Sequence, residues 1–225
     1  MEIKSVTLYT ESIKEMRKFY VDCFGFPLIK ESENSFRIVV GSSELEFTSE
    51  HVNGKPYYHF AFNIPSNKFD EAKSWVRERV SLNVEDSEDE ADFSHFPAHA
   101  LYFNDPAGNI VEFISRYSIS EEMVEPFSAA KGVLNISEIG LTVDNVIDAG
   151  EKLIDIGIQE RDNQPLNSTS LNFMGDNSKG IFILLTQPER RWIFSDKLSA
   201  IYPLEIITTN NDRIAISSNN LLEVN

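Results

Sequence analysis

Apolar and small residues alternate in three short runs of the chain: Ser5-Val-Thr-Leu-Tyr-Thr10, His59-Phe-Ala-Phe-Asn-Ile64 and Glu138-Ile-Gly-Leu-Thr-Val143. A period of two is what a half-buried strand requires. A stretch with helical spacing follows each run. Ser12 to Phe24 gathers Ile13, Met16, Phe19, Tyr20 and Cys23 and stops at Gly25. Lys68 to Val80 gathers Phe69, Ala72, Trp75 and Val76, and Val146 to Ile156 gathers Ala149, Leu153 and Ile156 before Gly157. Glycine beyond the last apolar position is a usual helix terminator, because it adopts the left-handed conformation without strain.

Three strand-like segments then complete each unit. The first unit offers Leu28–Lys30, Phe36–Val40 and Leu45–Ser49. The second offers an edge segment near Ser81–Val84, then Ala100–Asn104 and Ile110–Arg116. The third offers Ile158–Arg161, Ser170–Met174 and Ile181–Thr186. The last two strands of units two and three are joined by Asp105-Pro-Ala-Gly-Asn109 and Asp176-Asn-Ser-Lys-Gly180, both with Asp early and Gly late as turns require. The recurring pattern is strand–helix–three strands, an α+β class, and the chain carries it three times. Outside the repeat lie the charge run Glu85 to Asp92, a linker at 118–131, and a tail with strand-like runs at Leu204–Thr208 and Arg213–Ser217.

Composition narrows the partners. The 225 residues are 41% hydrophobic and 25% charged, the profile of a chain that folds around a core. Twenty Lys and Arg against 36 Asp and Glu leave a formal charge of −16. This excludes nucleic acid and anionic membrane surfaces as expected partners, since both require a basic face. A single cysteine, Cys23, excludes an intrachain disulfide and a multi-thiolate zinc site. No apolar run approaches the roughly 20 residues that span a bilayer. The first residues lack a charged-then-apolar signal pattern, so a cytoplasmic location is expected.

The segment Leu101-Tyr-Phe-Asn-Asp-Pro-Ala-Gly-Asn-Ile-Val-Glu-Phe113, with Phe19-Tyr20, Gly25-Phe26 and His59 at the head of unit two, resembles the vicinal oxygen chelate superfamily. That group includes glyoxalase I, extradiol dioxygenases, fosfomycin-resistance proteins and bleomycin-binding proteins. The resemblance covers about residues 1 to 117, and about 131 to 195 more weakly as a divergent third copy. It implies tandem βαβββ modules forming a cupped mixed sheet. Residues 1–117 would make the paired domain, and 132–225 a third, divergent half-module with the tail strands. It also implies a metal in the cleft, held by side chains from the first and last strand of each module.

Carried over by position, those places are Ser5 and Glu46 in unit one, and His59 and Glu112 in unit two. His59, Glu112 and Glu46 are thus the implied ligands of a divalent ion, Fe, Mn, Ni or Zn. Glu46 is the implied general base, once it leaves the metal. Ser5 stands where metal-binding relatives usually carry histidine, so one coordination position is lost or left to water. In unit three, Glu138 aligns with His59 and Leu184 with Glu112, which reads as a structural half-module without a metal site. Such a half needs its sheet edge covered, by the tail strands or by a second chain, and a homodimer is expected.

Other residues carry weaker signals. His95 and His99 are four apart, but Pro97 between them argues against a helical metal pair and for a loop surface. His51 reads as exposed, Cys23 as an inert thiol on the buried side of helix one, and the charge run as a solvated loop or, alternatively, a lid. Arg190-Arg-Trp-Ile-Phe194 reads as a solvated arginine pair beside a packed Trp, or as an anion or aromatic-ligand contact. Two functions fit. One is a metal-dependent enzyme of the glyoxalase/dioxygenase kind acting on a small substrate with vicinal oxygens. The other is a metal-free, bleomycin-resistance-like protein that sequesters a small molecule in the same cleft, with Tyr57, Phe60 and Phe62 as candidate lining.

Overall fold

Each alternating run opens a βαβ-type unit in the structure, a computed structural model that describes residues 1–93 and 96–225. Unit one runs β1 (Ile3–Tyr9), α1 (Ile13–Arg17), β2 (Leu28–Glu31), β3 (Ser35–Val40) and β4 (Ser43–Thr48). Unit two runs β5 (His59–Ile64), α2 (Phe69–Arg77), β6 (Ala91–Phe93), β7 (Ala98–Asn104) and β8 (Ile110–Arg116). After a short α3 (Ala129–Gly132), unit three runs β9 (Asn135–Thr142), α4 (Val146–Asp155), β10 (Asn172–Asp176) and β11 (Ile181–Thr186). The tail adds β12 (Leu204–Thr208), β13 (Arg213–Ile216) and β14 (Leu222–Val224).

Three local differences from the sequence pattern have physical causes. The edge strand of unit two is Ala91–Phe93, within the end of the charge run, while the Ser81–Val84 segment keeps only one bridge, Leu82 to Phe103. Lys73, Arg77 and Arg191 pair with Asp89, Glu90 and Glu85, so the acidic run is tied down rather than simply solvated. In unit three, Ile158–Arg161 contributes a single bridge, Glu160 to Met174, in place of a strand. In helix one, α1 widens into a π-helical segment, Lys18–Cys23, in which the Phe24 amide donates to the Phe19 carbonyl five residues back. The wider turn shifts the helix phase. Met16 and Tyr20 stay buried while Cys23, expected inside, is exposed.

The strands form two seven-stranded sheets, and their order decides which units act together. One sheet is ordered β14-β13-β12-β1-β4-β3-β2, the other β10-β11-β9-β5-β8-β7-β6. Unit one therefore pairs with the tail, and unit two pairs with unit three. The sequence expectation had units one and two sharing residues 1–117. Antiparallel contact between first strands makes both junctions: β1 against β12, and β5 against β9. Within a unit the first and last strands run parallel, Phe62 beside Phe113 in unit two and Leu8 beside Phe47 in unit one. The edge of the third half-module is thus covered inside the chain, without a second copy.

One apolar core draws on both sheets and on α1, α2 and α4. It includes Leu8, Tyr20, Phe47, Phe60, Phe62, Val76, Phe113, Ile139, Leu153 and Ile206. Alternation sends Phe60 and Phe62 of β5 into this core, not into a ligand cleft as the sequence suggested, while His59, Ala61 and Asn63 face the other side. Between the sheets, Gly41 lets the β3–β4 turn dock on the backbone leading into β9, where the Ser42 amide donates to the Leu134 carbonyl at 2.9 Å. No described helix is long and apolar enough to cross a membrane.

Candidate metal centre and aromatic cavity

The cavity of about 740 Å³ lies on the face of the β5/β8/β9 sheet opposite the core. Its floor is polar. His59 comes from β5, Glu112 and Arg116 from β8, and Glu138 from β9. All four are buried. One ligating atom from each of His59, Glu112 and Glu138 lies within 4.8 Å of the other two.

Each side chain is oriented by a neighbour. His59 Nδ1 donates to the Ile110 carbonyl at 3.1 Å, which leaves Nε2 as the ring's lone-pair nitrogen. Nε2 faces Glu112 Oε2 at 3.4 Å. Burial lowers the His59 pKa, with Glu138 opposing, so the imidazole is neutral. Burial, reinforced by the charge of Glu138, pushes the Glu112 carboxyl well above the ordinary carboxylate range, with Arg116 and the Tyr102 hydroxyl offsetting part of the effect. Burial thus works against the charged form of both groups across the 3.4 Å contact, which weakens it as an ion pair.

Arg116 supplies the charge balance. Its guanidinium donates to Glu138 Oε1 at 2.5 Å, to Ser137 Oγ at 3.1 Å and to Asn63 Oδ1 at 2.5 Å. A bulge opposite Ala61 and Phe62 skips Ser137 in the β5–β9 register, which brings Ser137 and Glu138 to the same arginine. Gly180 leaves space for the Arg116 side chain, since a Cβ there would lie 2.6 Å from Cδ.

The walls are apolar and aromatic. Trp192 stands over His59 with ring centres 4.9 Å apart, and Gly140 gives it room, because a Cβ at 140 would come within 3.1 Å of the indole. Tyr102 stacks on Phe194 at 4.8 Å. Phe182 and Leu184 of β11 complete the wall from unit three. The 190–194 segment is held over the cavity by Glu85, which accepts from the Arg191 guanidinium and the Phe194 amide. Of the Arg-Arg-Trp run, Trp192 is packed as expected, while Arg191 is paired with Glu85 rather than solvated and both arginines line the cavity.

Of the residues singled out in the sequence, His59 and Glu112 come together here, and Glu46 does not. Glu46 lies on β4 of the other sheet, where the Arg37 guanidinium donates to it through Nε at 2.9 Å, in a groove shared with Glu205. Ser5 sits on the same sheet, opposite Glu44 and Ile207. The reason is strand order: unit one faces the tail, so its last strand never meets β5. Glu138, read as a structural residue, occupies the third place, and its alignment with His59 was the signal. Arg116 was missed, although an arginine four residues after Glu112 on the same buried strand face points to a buried partner. His99 packs edge-on against Phe69 and Tyr117, away from the floor, and His51 is exposed. His95 lies outside the described residues.

The site thus lies on a sheet that joins a complete βαβββ unit to a shortened one, with His59 and Glu112 on the first and last strands of the complete unit and Glu138 on the first strand of the other. Residues 2–113 match the Glyoxalase/Bleomycin resistance protein/Dioxygenase superfamily, and residues 136–190 match the toxoflavin-degrading enzyme family. The chain belongs to the glyoxalase/bleomycin resistance/dioxygenase, or vicinal oxygen chelate, superfamily. A putative dioxygenase from Bacillus subtilis subsp. subtilis str. 168 shares the fold with a TM-score of 0.57 at 14% identity, over 81% of this chain and 62% of that one. Lactoylglutathione lyase from Agrobacterium tumefaciens aligns at 20% identity over 49% of this chain and 90% of that one, with a TM-score of 0.42. No curated protein sequence matches the chain.

Proposed function

We propose that this protein is a divalent-metal-dependent enzyme that acts on a small, flat substrate through adjacent oxygens. The observation that carries the reading is the convergence of His59, Glu112 and Glu138 at the floor of an aromatic-walled cavity. One imidazole and two carboxylates suit Mn, Fe, Ni or Zn, and the donor set contains no thiolate to favour softer ions. The oriented Nε2 of His59 and the arginine-held Glu138 are the supports that a metal ligand normally has behind it. Such an ion, when bound, supplies a Lewis acid that polarises the chelated oxygens.

The chain's own groups do the rest. Trp192 covers the floor at His59, and Phe194 backs the Tyr102 wall, which together exclude water. Arg116 fixes the Glu138 carboxylate and leaves its second oxygen for the site. Burial and the charge of Glu138 raise the proton affinity of the Glu112 carboxyl, so a metal ion would compete with protons there. The match to the toxoflavin-degrading family falls on the segment that supplies Glu138, Phe173, Phe182 and Leu184, and supports an aromatic ring as the part held by the walls. Glu46 has no role in this reading, and the site needs no homodimer to complete it.

A second reading, metal-free sequestration in the same cavity, is favoured by one observation: Glu138 is already paired to Arg116, so one of the two floor carboxylates is compensated without an ion. Metal analysis by mass spectrometry on untagged protein separates the two. Near one Mn, Fe, Ni or Zn per chain, lost in His59→Ala, Glu112→Gln and Glu138→Gln, supports the enzyme. Trace metal after reconstitution rejects it in favour of sequestration.

A further inference from the structure

The mouth of the cavity has a charge that the floor does not explain. On the floor, Glu138 is matched by Arg116. At the mouth, Arg191 is matched by Glu85. Two further arginines line the same cavity, Arg161 and Arg190. Arg161 lies with its guanidinium 4.2 Å from the ring centres of both Phe96 and Phe173. Its one side-chain hydrogen bond among the described residues runs from Nε to the neighbouring Asp162, at 3.1 Å. That leaves its two terminal nitrogens open. Arg190 is half-buried and pairs with no carboxylate among the described residues. Its backbone is fixed to Ser199, whose Oγ accepts from the Arg190 amide at 3.0 Å.

A guanidinium stacked between two aromatic faces loses rotational freedom but keeps its in-plane N–H groups for an acceptor. Arg161 is held in this way with only the adjacent Asp162 as its ion-pair partner, and Arg190 has no carboxylate partner among the described residues, so both line the cavity with donors to spare. We propose that the substrate is an aromatic acid: its ring lies between the apolar walls, and a carboxylate or other anionic substituent at the far end from the floor is read by Arg161 and Arg190. This inference rests on the reading of the cavity as a small-molecule site, and it is independent of whether a metal occupies the floor.

The test uses two matched pairs of probes, followed by tryptophan fluorescence quenching in a Trp75→Phe background that leaves Trp192 as reporter. The first pair, 2-naphthoate and 2-naphthamide, cannot chelate and reads the mouth alone. The second, 3,4-dihydroxyphenylpropionate and its methyl ester, adds vicinal oxygens and is run with and without Mn(II). The acid of each pair is expected to bind at least about tenfold more tightly than its neutral partner, as a charge-assisted contact implies. That preference should fall to about twofold or less in Arg190→Gln and in Arg161→Gln, and persist in Arg161→Lys, which keeps the charge. The neutral partners should bind all variants alike, which shows that the cavity is intact. Equal binding of naphthoate and naphthamide by the wild type overturns the proposal, as does a preference that survives in the Arg161→Gln/Arg190→Gln variant. An acid preference in both pairs with no effect of Mn(II) on the catechols upholds the mouth and rejects the metal-dependent reading of the floor.

Discussion

Arg116 and Glu138 meet at 2.5 Å in the cavity floor, one from the last strand of unit two and the other from the first strand of unit three. Their side chains are only 10% and 7% exposed. The pair therefore joins two units of the repeat and positions a candidate ligand in the same contact.

Removing one partner of this pair leaves a buried charge without compensation. Arg116→Gln is expected to cost about 3–5 kcal/mol, and the double variant Arg116→Gln/Glu138→Gln to regain most of it. Chemical denaturation of the three proteins checks this. Equal loss in the single and double variants would show that the two side chains do not couple.

Glu112 should link metal to pH. Its folded-state pKa lies above the unfolded value, so the metal-free fold gains from the proton at low pH and loses that contribution as pH rises through the raised value. Glu112→Gln mimics the protonated form. In metal-free protein the variant is expected to gain stability relative to wild type as pH rises, while its metal content falls to trace. Wild-type metal uptake should release protons and strengthen with pH, as calorimetry in buffers of different ionisation enthalpy would record.

Asp105 gives a second pH signature, outside the cavity lining. It caps its own turn, accepting from the Ala107 and Asn109 amides and from Asn109 Nδ2, and takes a 2.8 Å hydrogen bond from the buried Tyr20 hydroxyl. Burial outweighs these donors and raises its pKa to about 6 from an ordinary 3.8. The contribution is complete below about pH 4 and lost as pH rises through 6, a change of about 3 kcal/mol. The stability gap between wild type and Asp105→Asn should therefore shrink by that amount between pH 4 and 7.5. A constant gap in urea titrations across this range would refute the shift.

How far the site could be read in the chain follows from which contacts are local. His59 and Glu112 lie on parallel strands of one unit, so the repeat alone placed them together. Glu138 aligned with His59, but whether it joined them depended on which units pair, and that choice is made by sheet edges hundreds of ångströms of extended chain apart. Glu46 holds the place in unit one that Glu112 holds in unit two, as its parallel register beside Thr7 matches that of Glu112 beside Ala61. Arg37 opposite it, where Tyr102 stands opposite Glu112, gives the two carboxylates different partners. The Cys23 misreading has a nearer cause: a single π-helical turn changes phase without leaving a mark in apolar spacing.

Gly41 lies where the β3–β4 turn meets the backbone leading into β9. Its φ is +59°, and a Cβ there would lie 2.0 Å from the Leu134 carbonyl oxygen. Gly41→Ala meets both strain and collision, with a cost of about 3 kcal/mol or more and a fall in Tm of roughly 10 °C for a chain of this size. Differential scanning calorimetry checks it, and an unchanged Tm would mean that the sheets separate without cost at this contact.

Trp192 should act on binding more than on folding. Trp192→Ala removes the ring over His59 and is expected to weaken aromatic probes about tenfold while lowering Tm by only a few degrees. Titration of 2-naphthoate by calorimetry compares the two proteins. Undiminished affinity would place the ligand ring elsewhere in the cavity.

Strand β1 is paired on one side by β4 and on the other by β12, about 200 residues further along the chain. A ribosome emitting this chain exposes one flank of β1 until about 200 further residues have been made, whereas β5 acquires β9 after less than half that delay. The order of assembly is therefore set by topology: the sheet that carries the cavity forms first, and the other waits with an open, aggregation-prone edge. A nascent chain stalled before β12 should bind probes yet require a chaperone to stay in solution.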